Sequence, residues 1–194
     1  KRTTANTKLS IVQVDLDTGT RSGGKITVDN KSEGVIFARL TMKGIPKAGK
    51  ETASRHNFNL SVRYTDTGGN PVDITRLIQG TDFLAHVTIT NPFGVYIYKD
   101  MALSQIFPSG WEIHNTRMYD FTSVHAADQP SYQDIRDDRV YTYFDLKRNG
   151  TNTYVIQLNA AYLGKYYLPA VYCEAMYDEG FNASTAGRWT HVIQ

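Results

Sequence analysis

The sequence predicts an all-β fold, an antiparallel β-sandwich with at most short helical turns. Three observations carry that prediction. Apolar residues recur with a period of two over several runs. Those runs are rich in Val, Ile, Thr and Tyr, which suit a pleated surface. Turn residues separate them at short spacing, and no window of twelve residues shows a capped 3.6 period.

The run Phe83–Thr90 sets Phe83, Ala85, Val87 and Ile89 against Leu84, His86, Thr88 and Thr90. Val140–Leu146 sets Val140, Thr142, Phe144 and Leu146 against Tyr141, Tyr143 and Asp145. Thr151–Asn159 places Tyr154, Ile156 and Leu158 on one face. Asn149-Gly150 between the last two runs suits a tight hairpin, because both residues tolerate positive φ. Further strands are expected at Leu9–Leu16, Lys25–Asp29, Gly34–Lys43, Phe58–Tyr64, Val95–Tyr98, Lys99–Phe107, Tyr166–Ala170, Val171–Tyr177 and Thr190–Ile193. Asp73 is a cap for one helical turn over Asp73–Ile78. The polar stretch Asn115–Gln133 reads as a long loop or a short helix.

The chain has 194 residues, enough for one large domain or for one domain and part of another. Pro46, Gly49 and a run of Lys interrupt the β pattern across Ile45–Asn57. Residues 58–194 are therefore expected to form the C-terminal sandwich. Residues 1–57 supply strands that either complete it or end a preceding domain. The chain opens Lys1-Arg2-Thr3-Thr4, without a start Met or signal region, and reads as a mature protein or a piece of a longer one.

A net charge of +2 gives no sign of a nucleic-acid partner, and no apolar run reaches the roughly 18 residues of a spanning helix. One Cys excludes an internal disulfide and a Cys-rich zinc site. No two of the five His share a helical face, so no metal is expected. His86 falls on the polar face of its strand. Gly19–Ile26 nearly spells a phosphate loop, but Ile26 replaces the Ser or Thr that holds magnesium and a strand follows where a helix is needed. No Gly-x-Ser-x-Gly elbow anchors a hydrolase triad.

Arg136-Asp137-Asp138-Arg139 offers two adjacent carboxylates, an acid/base pair or a calcium ligand in principle. The flanking arginines hold carboxylates ionised, which favours a structural charge network. Tyr162, Tyr166, Tyr167, Tyr172 and Tyr177 form either a sugar or peptide platform or ordinary strand packing. Cys173 reads as a small buried hydrophobe. No catalytic site and no cofactor is expected, and a binding or structural module is favoured over an enzyme.

Three ordered phrases resemble the C-terminal domain of bacterial alpha-2-macroglobulins. The first is Leu103–Ile113, in which Pro108 sets φ for a turn, Gly110 relaxes it and Trp111 opens a new buried run. The second is Arg136-Asp137-Asp138-Arg139-Val140. The third is Tyr162–Ala170 followed by Val171–Tyr177, similar to the family's "Gly-x-Tyr-x-x-Pro…Glu-x-Met-Tyr" ending. The resemblance covers about Phe58 to Val192.

It implies a sandwich of the macroglobulin or fibronectin-III type, a domain of a large protease trap of the bacterial cell envelope or periplasm. Its partners would be other domains of the same polypeptide, and target proteases through the full-length protein. It implies no membrane insertion of this segment. The family's reactive thioester motif is Cys-x-Glu-Gln. The nearest match, Cys173-Glu174-Ala175-Met176, lacks the Glu and Gln positions, so no thioester lies in these residues. In thioester-bearing relatives the C-terminal domain shields that bond from water, and Met176-Tyr177 matches the place of contact. By strand statistics alone Met176 reads as core. The runner-up reading is a carbohydrate- or peptide-binding sandwich of an envelope protein.

Overall fold

The computed structural model describes residues 8, 10–15, 25–41, 44–92, 94, 97–114 and 127–194. The chain divides into two units, residues 1–44 and 45–194.

Among its described residues the first unit forms neither helix nor strand. The strands expected at Lys25–Asp29 and across the described parts of Leu9–Leu16 and Gly34–Lys43 are therefore not formed. Alternation gives a strand a face to bury but not a partner, and Ile11, Val35 and Phe37 stand exposed. A local loop closes on Asn30, whose Nδ2 donates to the Gly34 carbonyl at 2.7 Å.

Among its described residues the second unit is all-β, with thirteen strands. They are β1 (Ser54–His56), β2 (Asn59–Thr65), β3 (Arg76–Ile78), β4 (Asp82–Thr90), β5 (Tyr98–Ile106), β6 (Trp111–Ile113) and β7 (Tyr132–Ile135). Then come β8 (Arg139–Leu146), β9 (Thr151–Ala160), β10 (Gly164–Leu168), β11 (Tyr172–Ala175), β12 (Asp178–Ser184) and β13 (Arg188–Ile193). A six-stranded sheet runs β1-β12-β11-β5-β8-β7, a four-stranded sheet β2-β4-β9-β6, and a three-stranded sheet β10-β13-β3. All pairings are antiparallel except β13 with β3.

The core shows the layering. One cluster joins Val87, Ile89 and Tyr154 of the four-stranded sheet to Tyr98, Met101, Leu103, Phe144, Leu146 and Cys173 of the six-stranded sheet. This is the facing interior of a sandwich. A second cluster joins Phe83, Ala85, Ile156, Leu158 and Trp111 to Leu77, Leu168 and Val192 of the three-stranded sheet.

The alternating runs hold up. Phe83, Ala85, Val87 and Ile89 are all buried, as are Val140, Thr142, Phe144 and Leu146. The other face of β4 departs from expectation, because Leu84 and His86 are also buried. His86 is not on a solvated face: its Nε2 shares a 2.9 Å hydrogen bond with Thr65 Oγ1.

Elsewhere long-range pairing overrides local signals. Asp73 does cap a turn, with Thr75 N donating to its Oδ1 at 2.9 Å. The expected helical turn stops there, however, because Arg76–Ile78 pairs with His191–Ile193 and buries Leu77. Strand β7 begins inside the end of the unpatterned stretch, at Tyr132, recruited at the sheet edge by β8. Strand β1 forms inside the interrupted region 45–57 by pairing with β12. The expected strand Val171–Tyr177 ends at Ala175. Asn115–Ala126, Phe93, Val95, Tyr96 and residues 19–24 of the phosphate-loop lookalike lie outside the described residues.

Candidate docking site

Met176 and Tyr177 are the two turn residues of the β11–β12 hairpin, whose last pair is Ala175 with Asp178. Neither packs into the core: Met176 is 49% exposed and Tyr177 84%. The core reading of Met176 is thus corrected. The strand ends at Ala175, two residues earlier than its apolar content suggests, and the turn lifts both side chains outward.

The turn is held from both sides. On one side Met176 N donates to the Asp100 carbonyl at 3.0 Å. Asp100 sits in a bulge of β5, where Tyr98 faces Leu146 but Met101 faces Phe144. Its φ is +53°, and its N–H donates to Asp145 Oδ1 at 3.0 Å. On the other side the β11–β12 register slips, so that Glu174 faces Asn182 while Ala175 faces Asp178. Within the slip, Gly180 N donates to Asp178 Oδ1 at 2.9 Å and Asn182 Nδ2 to the Glu179 carbonyl at 2.9 Å. Phe181 turns inward, with its ring 4.7 Å from that of Tyr98. From the β1–β2 link, Asn57 Nδ2 donates to the Gly180 carbonyl at 2.8 Å.

Arg136–Arg139 form the β7–β8 hairpin turn, with Arg136 N donating to the Arg139 carbonyl at 2.9 Å. Arg139 grips Asp138 with two hydrogen bonds, 2.8 Å and 2.6 Å. That grip is the main reason the Asp138 carboxyl lies below its ordinary value. Arg136 binds Asp134 at 2.9 Å, so the network reaches back into β7. Phe107 N donates to the Asp138 carbonyl at 2.8 Å, tying the turn to the end of β5. The two Asp are therefore turn residues.

At the β5–β6 turn Trp111 N donates to the Pro108 carbonyl at 2.9 Å, and Trp111 meets Phe83 edge-on at 4.9 Å. Gly110 does not occupy a left-handed backbone position. It is required by close approach, since a Cβ there would collide with the Tyr166 ring.

The five tyrosines are not brought together. Tyr162 lies between β9 and β10 and donates to Glu112 Oε1 at 2.8 Å. On β10, Tyr166 donates to the Leu163 carbonyl, and Tyr167 donates to Glu51 and packs edge-on against Trp189. Tyr172 lies on β11 and donates to Glu174 Oε2 at 3.0 Å. Partial burial and the neighbouring Glu174 push the Tyr172 hydroxyl up to about 12. Cys173 is fully buried, and burial raises its thiol well above the ordinary range. Among the described residues no three His, Cys, Asp or Glu side chains are grouped to hold a metal ion, and no helix is long and apolar enough to cross a membrane.

Residues 58–180 match the model of the bacterial alpha-2-macroglobulin MG10 domain. The chain belongs to that family. An alpha-2-macroglobulin of Pasteurella multocida is 26% identical over 161 residues, covering 82% of this chain and 8% of the relative. An alpha-2-macroglobulin homolog of Yersinia pestis is 24% identical over 189 residues, covering 87% of this chain and 9% of the relative. The chain thus spans less than a tenth of the length of these curated relatives.

Solved structures agree on the fold. Salmonella alpha-2-macroglobulin reacted with methylamine superposes with a TM-score of 0.68 at 20% identity, over 78% of this chain and 10% of that one. The Escherichia coli alpha-2-macroglobulin segment from MG7 to the C-terminus gives 0.68 at 17% identity, over 78% of this chain and 25% of that one. The macroglobulin-type sandwich expected from the three phrases is therefore the fold of this chain.

Proposed function

We propose that this MG10-type domain is the non-catalytic C-terminal domain of a bacterial alpha-2-macroglobulin-like protease trap. It docks on the thioester domain or a neighbouring domain of its own polypeptide through Met176 and Tyr177. The observation that carries this reading is the exposed apolar turn, held by hydrogen bonds to β5 and to the β1–β2 link. A large exposed Met and Tyr side by side, on a backbone fixed at its base, suit insertion into a hollow on another domain. Target proteases are met by the full-length protein in the periplasm or cell envelope, not by a site on this domain. Residues 1–44, with their alternating but exposed apolar residues, belong to the domain that precedes it.

The test uses the full-length protein. Its thioester is challenged with a small amine, and the reaction is timed in the natural protein and in the double variant Met176→Ala, Tyr177→Ala. Removing the plug is expected to speed the reaction at least about tenfold, equivalent to roughly 1.4 kcal/mol of lost protection. Equal rates refute the shielding role. A full-length chain without a Cys-x-Glu-Gln motif refutes it too, and leaves the pair as a docking contact.

A further inference from the structure

Only three non-glycine residues among those described have positive φ: Asn57 at +72°, Asp100 at +53° and Asn149 at +49°. Asn149 belongs to the Asn-Gly hairpin and is explained by it. The other two flank the Met176–Tyr177 turn, one from each side. Backbone strain of this kind persists only where surrounding structure enforces it, and it concentrates at working sites.

Each strained residue delivers one bond to the hairpin. The left-handed turn at Asp100 is part of the β5 bulge, and its carbonyl accepts the Met176 N–H just beyond the last regular β5–β11 pair, Ala175 with Met101. The left-handed turn at Asn57 accompanies an Nδ2–H that donates to the Gly180 carbonyl, inside the register slip of β12. Tyr98 braces both: it lies one side of the β5 bulge, its hydroxyl donates to the Asn57 carbonyl at 3.4 Å, and its ring packs on Phe181. The turn residues themselves carry no positive φ. The strain is therefore placed in the supports and not in the tip.

We propose that Asn57 and Asp100 are positioning residues, a two-sided clamp that fixes the pose in which Met176 and Tyr177 are presented to the docking partner. This rests on the docking reading above. Asp100 acts through its backbone, so Gly can replace it and a β-branched residue cannot. Asn57 acts through its amide N–H, so Asp, which tolerates the same φ but cannot donate, removes the bond.

The experiment measures oxidation of Met176 by hydrogen peroxide in the full-length protein, read on its peptide by mass spectrometry. Reactivity of the Cys173 thiol toward a disulfide reagent serves as the check of folding, because that thiol is fully buried. In the natural protein Met176 is expected to oxidise at least about tenfold more slowly than in the denatured chain. Asp100→Val is expected to raise the native rate about tenfold, Asn57→Asp about fivefold, and Asp100→Gly by less than about twofold.

Met176 protected in the natural protein and still protected in both Asp100→Val and Asn57→Asp overturns the clamp and leaves the docking reading standing. Met176 unprotected in the natural protein overturns the docking reading and the clamp with it. Loss of protection in Asp100→Gly equal to that in Asp100→Val overturns the backbone role of Asp100. Should Asp100→Val expose Cys173, Asn57→Asp decides: loss of protection with Cys173 still unreactive supports the clamp, and retained protection overturns it.

Discussion

Gln105 stands on β5 with its side chain fully buried, and neither its Oε1 nor its Nε2 has a hydrogen-bond partner. It lies between Leu103, in the core cluster of the sandwich, and Phe107, in the second cluster. A buried polar group without a partner costs about 1–3 kcal/mol, and here one amide leaves both ends unpaired. Gln105→Met keeps the length and nearly the volume while removing both polar ends, so overpacking adds little. A gain of about 2 kcal/mol is expected, which raises Tm by about 4–8 °C in a domain of this size. The assay is thermal unfolding of the 194-residue chain followed by circular dichroism, with urea unfolding as a second measure. Thr142, equally buried one strand away, supplies the contrast, because its Oγ1 accepts a bond from Gln133 Nε2 at 3.1 Å. Thr142→Val is expected to lose about 1 kcal/mol. An unchanged or lower Tm for Gln105→Met refutes the reasoning, since it would mean that the amide is satisfied in solution.

Three other expectations follow from the same structure. Gly110→Ala forces a methyl into the Tyr166 ring, and a loss of about 1–3 kcal/mol should show in the urea midpoint. The Asp138 carboxyl is lowered in the folded state, first by its bond to Arg139, so its contribution is present above the ordinary carboxylate value of 3.8 and fades as pH falls below it. Asp138→Asn should therefore flatten the fall of Tm between about pH 4 and pH 2, with a small effect because the pair is exposed; an unchanged slope counts against the pairing. The Cys173 thiol, buried and held protonated, should react with a disulfide reagent only on denaturation; rapid labelling of the native chain would contradict its burial.

The long strands were legible because one face of each is buried, and burial writes period two into the sequence. Val140–Leu146 shows this cleanly, with every second residue in the core. The misses share one cause. In β1 and β7 the pairing partner, not a hydrophobic face, makes the strand, and Ser54-Arg55-His56 or Tyr132–Ile135 carries no local sign of it. Conversely Gly34–Lys43 has the apolar content of strands, yet its described residues form none, because content alone specifies no partner. Asp73 shows both effects at once: its cap formed as read, and β13 then claimed the next three residues.

The Met176–Tyr177 turn divides along the same line. Its two residues could be named from the Met-Tyr phrase, which survives as a string of letters. Their exposure could not, because an apolar pair at the end of an apolar run reads as buried strand. What reverses that reading is a register slip and two left-handed residues supplied by segments 76 and 119 positions away in sequence, Asp100 and Asn57. Asn and Asp occur at positive φ several-fold more often than other residues, but most do not adopt it, so neither position signals itself. A site built from backbone geometry leaves little trace in residue type. In this domain the two side chains proposed to dock are the readable part, and the backbone that supports their turn becomes visible only in three dimensions.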